Sequence, residues 1–325
     1  MKAPAKINYD LFITGRREDG YHLLNSKFIP IENLHDDVEI DLVGVPLALG
    51  VSRLCGMGAQ KKKWKVGAPL VGAQGRYWRN KWHFKTPKIS LEIVGNSQIP
   101  NDNSNLVWKT AETFLNYVRK PLSVKIKLTK RIPVSAGLGG GSSDAAAVLK
   151  LLNQQFPIPK DQLTKIAASI GADVPFFLES KPAIVSGIGE IIEPIETTEK
   201  LPTLLISPNI SISAAEAYKL YKKSSVQFSK VDRTNPKNDL EKPVLKKYIA
   251  LRLIHSELEK IKTAKELRMT GSGSTFFMTF DCIEDAEQAQ QELQSLKNAE
   301  CGLRNYKSTG CSDEHRYLSI SYLWI

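Results

Sequence analysis

Alternation of apolar and polar side chains opens the chain. In residues 2–14, Lys-Ala-Pro-Ala-Lys-Ile-Asn-Tyr-Asp-Leu-Phe-Ile-Thr, the alternation runs around Ile7 and again at Leu11 and Ile13. It predicts a strand with Lys6 and Asn8 on one face. Ile29, Ile31, Val38, Ile40 and Leu42 continue the pattern over residues 28–43, broken by a polar stretch, Asn33 to Asp37, that reads as a turn. Ile89 to Val94 and the triplet Val124, Ile126, Leu128 predict two further strands. Helical patterns begin after residue 105, with Asp102 to Ser104 as caps, and again over residues 161–170, ended by Gly171. Residues 183–193 and 202–212 are strand-like, and Ser213 starts a further helix.

One stretch departs from these simple patterns. Residues 132–152 carry Gly137, Gly139, Gly140 and Gly141, then Ser142, Ser143 and Asp144, and run into Ala and Leu residues that favour a helix. Free N–H groups and the positive end of the helix dipole would converge there, and glycines let an anion approach without meeting a Cβ. That combination is a phosphate site. A plain connection would rarely spend the chain entropy of three adjacent glycines. No Lys-Ser/Thr follows the glycines, so this is not a P-loop. Ser142 stands where a dinucleotide fingerprint has its last glycine, and the protein-kinase motifs are missing.

The run Pro133-x-x-Ala-Gly-Leu-Gly-Gly-Gly-Ser-Ser-Asp-Ala resembles the nucleotide loop of the GHMP small-molecule kinases. Pro4-Ala-Lys-Ile-Asn, followed by Gly15-Arg-Arg-Glu-Asp-Gly-Tyr-His, narrows this to a resemblance to the 4-diphosphocytidyl-2-C-methyl-D-erythritol kinases, a family within that group. Gly171-Ala-Asp-Val-Pro, Asn238-Asp-Leu-Glu and Met269-Thr-Gly-Ser-Gly-Ser follow in the family's order, so that the match covers roughly residues 1–43 and 89–280.

The resemblance implies an α/β fold in two lobes, residues 1–184 and 185–325, with the active site between them. It implies phosphorylation by ATP, with Mg²⁺, of the 2-hydroxyl of 4-diphosphocytidyl-2-C-methyl-D-erythritol, in the non-mevalonate route to isoprenoid precursors. Asp173 is the implied catalytic base and Lys6 its partner. Pro133, Ser135, Ala136, Gly137, Leu138, Gly139, Gly140, Gly141, Ser142 and Ser143 would hold ATP, with Asn105 and Leu106 near the adenine. Asn8, Tyr21, His22 and Tyr218 would bind the substrate, the two tyrosine rings facing its cytosine. Gly271, Ser272 and Gly273 would support the phosphate region through backbone N–H groups. Ala214 departs from the family, where a hydroxyl residue is common. No residue is assigned as a metal ligand; Asp144 reads as a helix cap that at most helps hold the metal.

Composition changes the picture in one place. The net charge of +11 would ordinarily point to nucleic acid or anionic membranes. Ten of those charges, however, fall between Val45 and Lys88, a stretch that lacks Asp and Glu altogether and holds three of the five tryptophans. Basic residues interleaved with aromatics can bind single-stranded nucleic acid or an anionic surface; a solvated insertion, or sequence foreign to the kinase design, is the reading favoured here. The tail from about residue 299 is likewise atypical. No run of about 18 apolar residues and no signal peptide appear, so a cytoplasmic monomer or homodimer with small-molecule partners, and no specific nucleic acid or membrane, is expected. The four cysteines read as free thiols. The competing readings are another GHMP kinase acting on a different alcohol, against which Asp19-Gly-Tyr-His argues, and a kinase-like scaffold whose basic segment binds RNA or membrane.

Overall fold

The computed structural model describes residues 1–43, 88–96, 99–120, 122–196, 201–208, 210–223, 228–298 and 318–324. The basic segment as far as residue 87, and residues 299–317 of the atypical tail, lie outside them, as do three of the four cysteines. The fourth, Cys282, is a free, exposed thiol.

The first lobe is a seven-stranded sheet built on one long strand. That strand, β3 (His22–Val43), pairs antiparallel with β1 (Lys2–Asn8), β2 (Phe12–Arg16), β5 (Ser123–Thr129) and β6 (Ala183–Gly187). β4 (Lys88–Val94) adds to β5 in parallel, and β7 (Ile191–Pro194) forms a hairpin with β6, so the sheet continues to Pro194, past the residue-184 division expected from the sequence. Helices α1 (Leu106–Tyr117), α2 (Gly140–Gln155), α3 (Lys160–Ile170) and α4 (Val174–Glu179) belong to this lobe. Val38, Leu91, Val124, Ile126 and Leu128 of the sheet share a core with Val107 and Phe114 of α1 and with Ala145, Ala146 and Ala147 of α2. The three alanines are fully buried, and their small side chains let α2 lie close to its neighbours. Glu39, Asp41, Lys125 and Lys127, at the alternate positions, stay exposed, as a one-sided sheet requires.

The second lobe has four antiparallel strands in the order β11 (Leu318–Trp324), β8 (Pro202–Pro208), β10 (Phe276–Thr279), β9 (Glu266–Met269). Helices α5 (Ala214–Lys223), α6 (Glu241–Lys247), α7 (Ile249–Leu258) and α8 (Ile283–Asn298) complete it. A third apolar cluster joins the lobes. Ala5 and Ile7 of β1 meet Ile132, Ala136 and Leu138 of the glycine loop, and these meet Leu205 and Phe277 of the second sheet. The glycine loop is therefore packed between two sheets.

Three expectations are corrected. Residues 2–14 form two strands, because Leu11 leaves the β3 ladder to exchange backbone hydrogen bonds with Lys237 (2.8 Å) and Asp239 (2.9 Å). The polar stretch 33–37 is not a turn. β3 runs straight through it, while its register on β1 jumps from Pro4↔His35 to Ala5↔Ile31, a bulge at the residue whose ring removes a ladder donor. Asn105 itself, not residues 102–104, caps α1, accepting from the Val107 N–H at 2.9 Å. Gly171 ends α3 as expected, in extended backbone.

The ends of the basic segment are informative. Val43 and Lys88 both pair with Ser123, from opposite sides of β5. Two strand spacings, about 10 Å, separate them, a gap that a few residues span. Replacing residues 44–87 by a short Gly-Ser-Asp turn is therefore expected to leave a cooperative melt and kcat/KM within about twofold, since loop-closure entropy grows slowly with length. Steady-state kinetics and circular dichroism of the shortened protein check this; a folded protein without turnover would give the segment a catalytic role.

Candidate active site

β1 is buried along most of its length and carries Lys6 and Asn8 side by side into the space between the lobes. The Lys6 backbone N–H donates to the Leu138 carbonyl (3.0 Å), which ties the glycine loop to the strand. The Lys6 ammonium lies 3.5 Å from the Asp173 carboxylate, donates to Asn8 Oδ1 and to the Gly137 carbonyl (3.3 Å), and stands 4.7 Å over the Phe28 ring. Burial pulls its pKa below the ordinary lysine value, and Asp173 works against that pull. Asn8 is fixed in turn: its amide donates to Ser26 Oγ (2.9 Å) and its backbone N–H to Thr270 Oγ1 (2.8 Å).

Asp173 sits at the N-cap position of α4 but makes no capping hydrogen bond, so its carboxylate is committed to Lys6 rather than to the helix. Asp144 departs from its expected place. Gly139, in left-handed backbone, is the N-cap of α2, and Asp144 lies buried further along the helix, 2.7 Å from the Lys130 ammonium. Lys130 also donates to Asp36, whose carboxylate accepts the N–H groups of Arg131 and Ile132 at the start of the glycine loop. Burial pushes the Asp144 carboxyl well above its ordinary range, against the pull of Lys130.

The two glycine loops touch. A Cβ on Gly137 would stand 2.3 Å from the Thr270 carbonyl oxygen, and one on Gly271 would stand 3.0 Å from Asn8 Oδ1. Asn238 holds the second loop by donating to the Met269 (2.7 Å) and Gly271 (2.8 Å) carbonyls. The Gly273 N–H donates within its own turn, to Thr270.

Around this contact lies a cleft of about 710 Å³. Of the residues expected from the sequence, Lys6, Asn8, Asn105, Leu106, Pro133, residues 135–142, Asp173, Tyr218, Gly271 and Ser272 line it. Ser143, Gly273, Tyr21 and His22 do not. The amide of Asn105 is spent on its helix and on the Pro100 carbonyl (2.8 Å). His22 stacks on Tyr218, ring centroids 5.4 Å apart at 18°, and meets Tyr221 edge-on at 5.7 Å. Burial, with Arg16 and Lys222 nearby, lowers the His22 pKa and keeps the ring neutral at pH 7. The Tyr218 phenol is pushed up by burial and then by the Asp173 charge. Tyr21 stands apart at the tip of the β2–β3 connection, 63% exposed. Ala214 lines the cleft beside Ser213, whose hydroxyl accepts the Glu216 N–H at 3.2 Å.

The family model of the GHMP kinases N terminal domain matches residues 105–181, which include the glycine loop and Asp173. A 4-diphosphocytidyl-2-C-methyl-D-erythritol kinase from Methylacidiphilum infernorum is 36% identical over 289 residues, 86% of this chain and 85% of that one. One from Clostridium beijerinckii is 32% identical over 90% of this chain and 95% of its own. The chain belongs to the 4-diphosphocytidyl-2-C-methyl-D-erythritol kinases. The crystal structure of a 4-(cytidine 5'-diphospho)-2C-methyl-D-erythritol kinase matches the fold with a TM-score of 0.66 at 28% identity, covering 91% of this chain and 95% of that one. A homoserine kinase from Cytophaga hutchinsonii, at 14% identity and a TM-score of 0.57, shares the fold alone.

Lys130 and Asp36 carry no local signal of their role, for different reasons. Lys130 closes an alternating strand as one lysine among several, and Asp36 sits in the polar stretch that imitates a turn. Among the described residues no helix is long and apolar enough to cross a membrane.

The glycines of this kinase separate into two kinds. Gly137 has φ +78° and no room for a Cβ, whereas an added Cβ at Gly141 meets nothing within 4 Å on a residue that lines the cleft. Gly137→Ala is expected to cost about 3 kcal/mol or more in thermal unfolding. Gly141→Ala is expected to melt no lower than wild type, since Ala in a helix gains up to about 1 kcal/mol, yet to raise KM for ATP severalfold. Calorimetry and steady-state kinetics on the pair check this.

Proposed function

We propose that this chain transfers the γ-phosphate of ATP to the 2-hydroxyl of 4-diphosphocytidyl-2-C-methyl-D-erythritol, with Asp173 as base and Lys6 as its partner. The observation that carries the assignment is the 3.5 Å pair of Lys6 and Asp173 inside the cleft lined by the glycine loop. A tertiary alcohol is a weak acid, so its proton must leave as the bond to phosphorus forms. Asp173 takes that proton, the hydroxyl oxygen bonds to the γ-phosphorus, and ADP leaves. Lys6, 3.5 Å from Asp173, fixes the carboxylate in place and meets the charge gathering on the transferred group. The N–H groups at the start of α2 and its dipole hold the phosphates. Positioning supplies most of the rate in such chemistry.

Mg²⁺ fits the donors present. Asp144 Oδ1 and Ser143 Oγ are buried oxygen atoms with no hydrogen-bond partner, beside a loop suited to phosphates. Mg²⁺ favours one or two carboxylates together with phosphate oxygens. Asp144, which lines the cleft, would hold it, and bound there it would neutralise charge on the phosphates. At the other end of the cleft, the Tyr218 ring, backed by the stacked His22, would offer cytosine one aromatic face, and the exposed Tyr21 ring would cover the second. A neutral imidazole can both donate to and accept from the base edge.

Asp173→Asn preserves shape and removes the proton acceptor. It is expected to lower kcat by on the order of 10²-fold or more while the affinity for ATP stays nearly unchanged, and Lys6→Ala is expected to show a comparable loss. Near-normal kcat in Asp173→Asn, with the loss appearing in Asp144→Asn, would move the base to the other carboxylate.

Tyr21→Ala and Tyr218→Ala are expected to raise KM for the cytidyl substrate and not for ATP, by an amount corresponding to roughly 1–3 kcal/mol per stacking face. Steady-state kinetics with each substrate varied in turn decide it. Unchanged KM for the cytidyl substrate in both variants would point to a different alcohol.

A further inference from the structure

Two carboxylates and one ammonium are buried together at the base of the glycine loop. Asp36 is fully buried, and the side chains of Lys130 and Asp144 are 5% and 3% exposed. Two of the three groups reach toward the nucleotide side. Lys130 and Asp144 both line the cleft, and a Cβ on Gly140, the first residue of α2, would stand 3.3 Å from the Lys130 ammonium. Asp36 does not line it. Its carboxylate faces the chain that leads into the loop: Oδ1 accepts the backbone N–H groups of Arg131 and Ile132, and Oδ2 accepts Lys130.

From this placement we infer that Asp36 is a positioning residue for the nucleotide: it sets the entry of the glycine loop and the place of the Lys130 ammonium before ATP arrives. The inference rests on the reading of this cleft as the ATP site. A buried ion cluster is a poor way to gain stability alone, because desolvating three charges consumes most of what their attraction returns. It is a good way to hold one arrangement. Here it ties together three segments, the middle of β3, the end of β5 and the second turn of α2, whose residues lie 94 and 14 positions apart in the chain. A loop that must present several N–H groups to an anion binds tightly only if its arrangement is already made, since ordering it on binding would cost affinity. The two N–H groups held by Asp36 are those immediately before Pro133, where the loop turns into the cleft. The cytidyl end of the cleft shares none of these contacts.

Asp36→Asn tests the inference. The amide oxygen can still accept the two loop N–H groups, but the amide nitrogen cannot accept Lys130. The dissociation constant of a non-hydrolysable ATP analogue, by titration calorimetry, is expected to rise at least tenfold, with KM for ATP following it. KM for the cytidyl substrate is expected to stay within twofold, and kcat at saturating ATP within about fivefold. A folded variant with unchanged analogue affinity, or with both substrates weakened equally, would overturn the inference and leave Asp36 a purely structural residue. Because the analogue titration needs no phosphoryl acceptor, it decides the inference even if wild-type protein proves inactive on the cytidyl substrate, a result that would sink the substrate assignment alone. Should Asp36→Asn not fold, hydrogen exchange on the wild-type protein decides. The Arg131 and Ile132 amides are expected to be as protected without nucleotide as the amides of β5, and unchanged when the analogue is added. Protection that appears only with the analogue bound would mean that the ligand, not Asp36, orders the loop.

Discussion

Two backbone loops pass so close between the lobes that no side chain can stand between them. Gly137 lies against the Thr270 carbonyl, and Gly271 lies against Gly137 and Asn8. Everything chemical is arranged around that contact. β1 runs beside it, so that Lys6 bonds one loop through its backbone and Asn8 bonds the other through its own. The apolar cluster of Ala5, Ile7, Leu138, Leu205 and Phe277 packs the same region. Close backbone approach has a physical use here. It leaves the N–H groups at the start of α2 facing an open cleft while their surroundings are held by two sheets, which is what binding a highly charged phosphate chain requires.

The charges follow the same plan. Buried charges survive only when paired, and two of the buried groups lie beside the cleft. Lys6 faces Asp173, and Lys130 is shared between Asp36 and Asp144. The first pair leaves a carboxylate partly open to the cleft, as a proton acceptor needs. The second group leaves Asp144 with one unengaged oxygen, as a cation ligand needs. The same residue types, a lysine and one or two carboxylates, thus serve opposite ends of one reaction by differing in what they leave unsatisfied.

Membership in the 4-diphosphocytidyl-2-C-methyl-D-erythritol kinases explains why motifs scattered over some 270 residues reach one cleft. The loop after β5, the turn before α4 and the loop between β9 and β10 are distant in the chain, and each alone is a modest signal. Their convergence on Lys6 and Asn8 turns them into a site. Residues 249–258 form α7, an outer helix of the second lobe with Ile249 and Leu253 exposed. A surface helix can change its sequence so long as its inward positions, here Leu251 and Leu258, stay apolar.

Local pattern determined a good deal. The strands at residues 2–8, 88–94 and 123–129, the helix after the glycines and the helix ending at Ile170 were legible because period-2 and period-3.6 patterns are properties of neighbouring residues. The glycine-loop residues that line the cleft were legible because glycine, serine and a helix start in one order carry a chemical meaning by themselves, whereas Lys6, Asn8, Asp173 and Tyr218 were implied by the family resemblance. What the chain could not announce was what each polar residue would meet. Asn33 to Asp37 looked like a turn because polar side chains usually face water, yet Asp36 is polar in order to hold a loop almost a hundred residues away. Asp144 looked like a cap because it follows glycines, yet its partner is Lys130, and Asn105 rather than its polar neighbours capped α1. The apposition of Lys6 and Asp173, the stack of His22 on Tyr218 and the absence of space at Gly137 exist only once two sheets close on one loop. Such contacts depend on distances in space, which tertiary packing decides and sequence spacing does not contain.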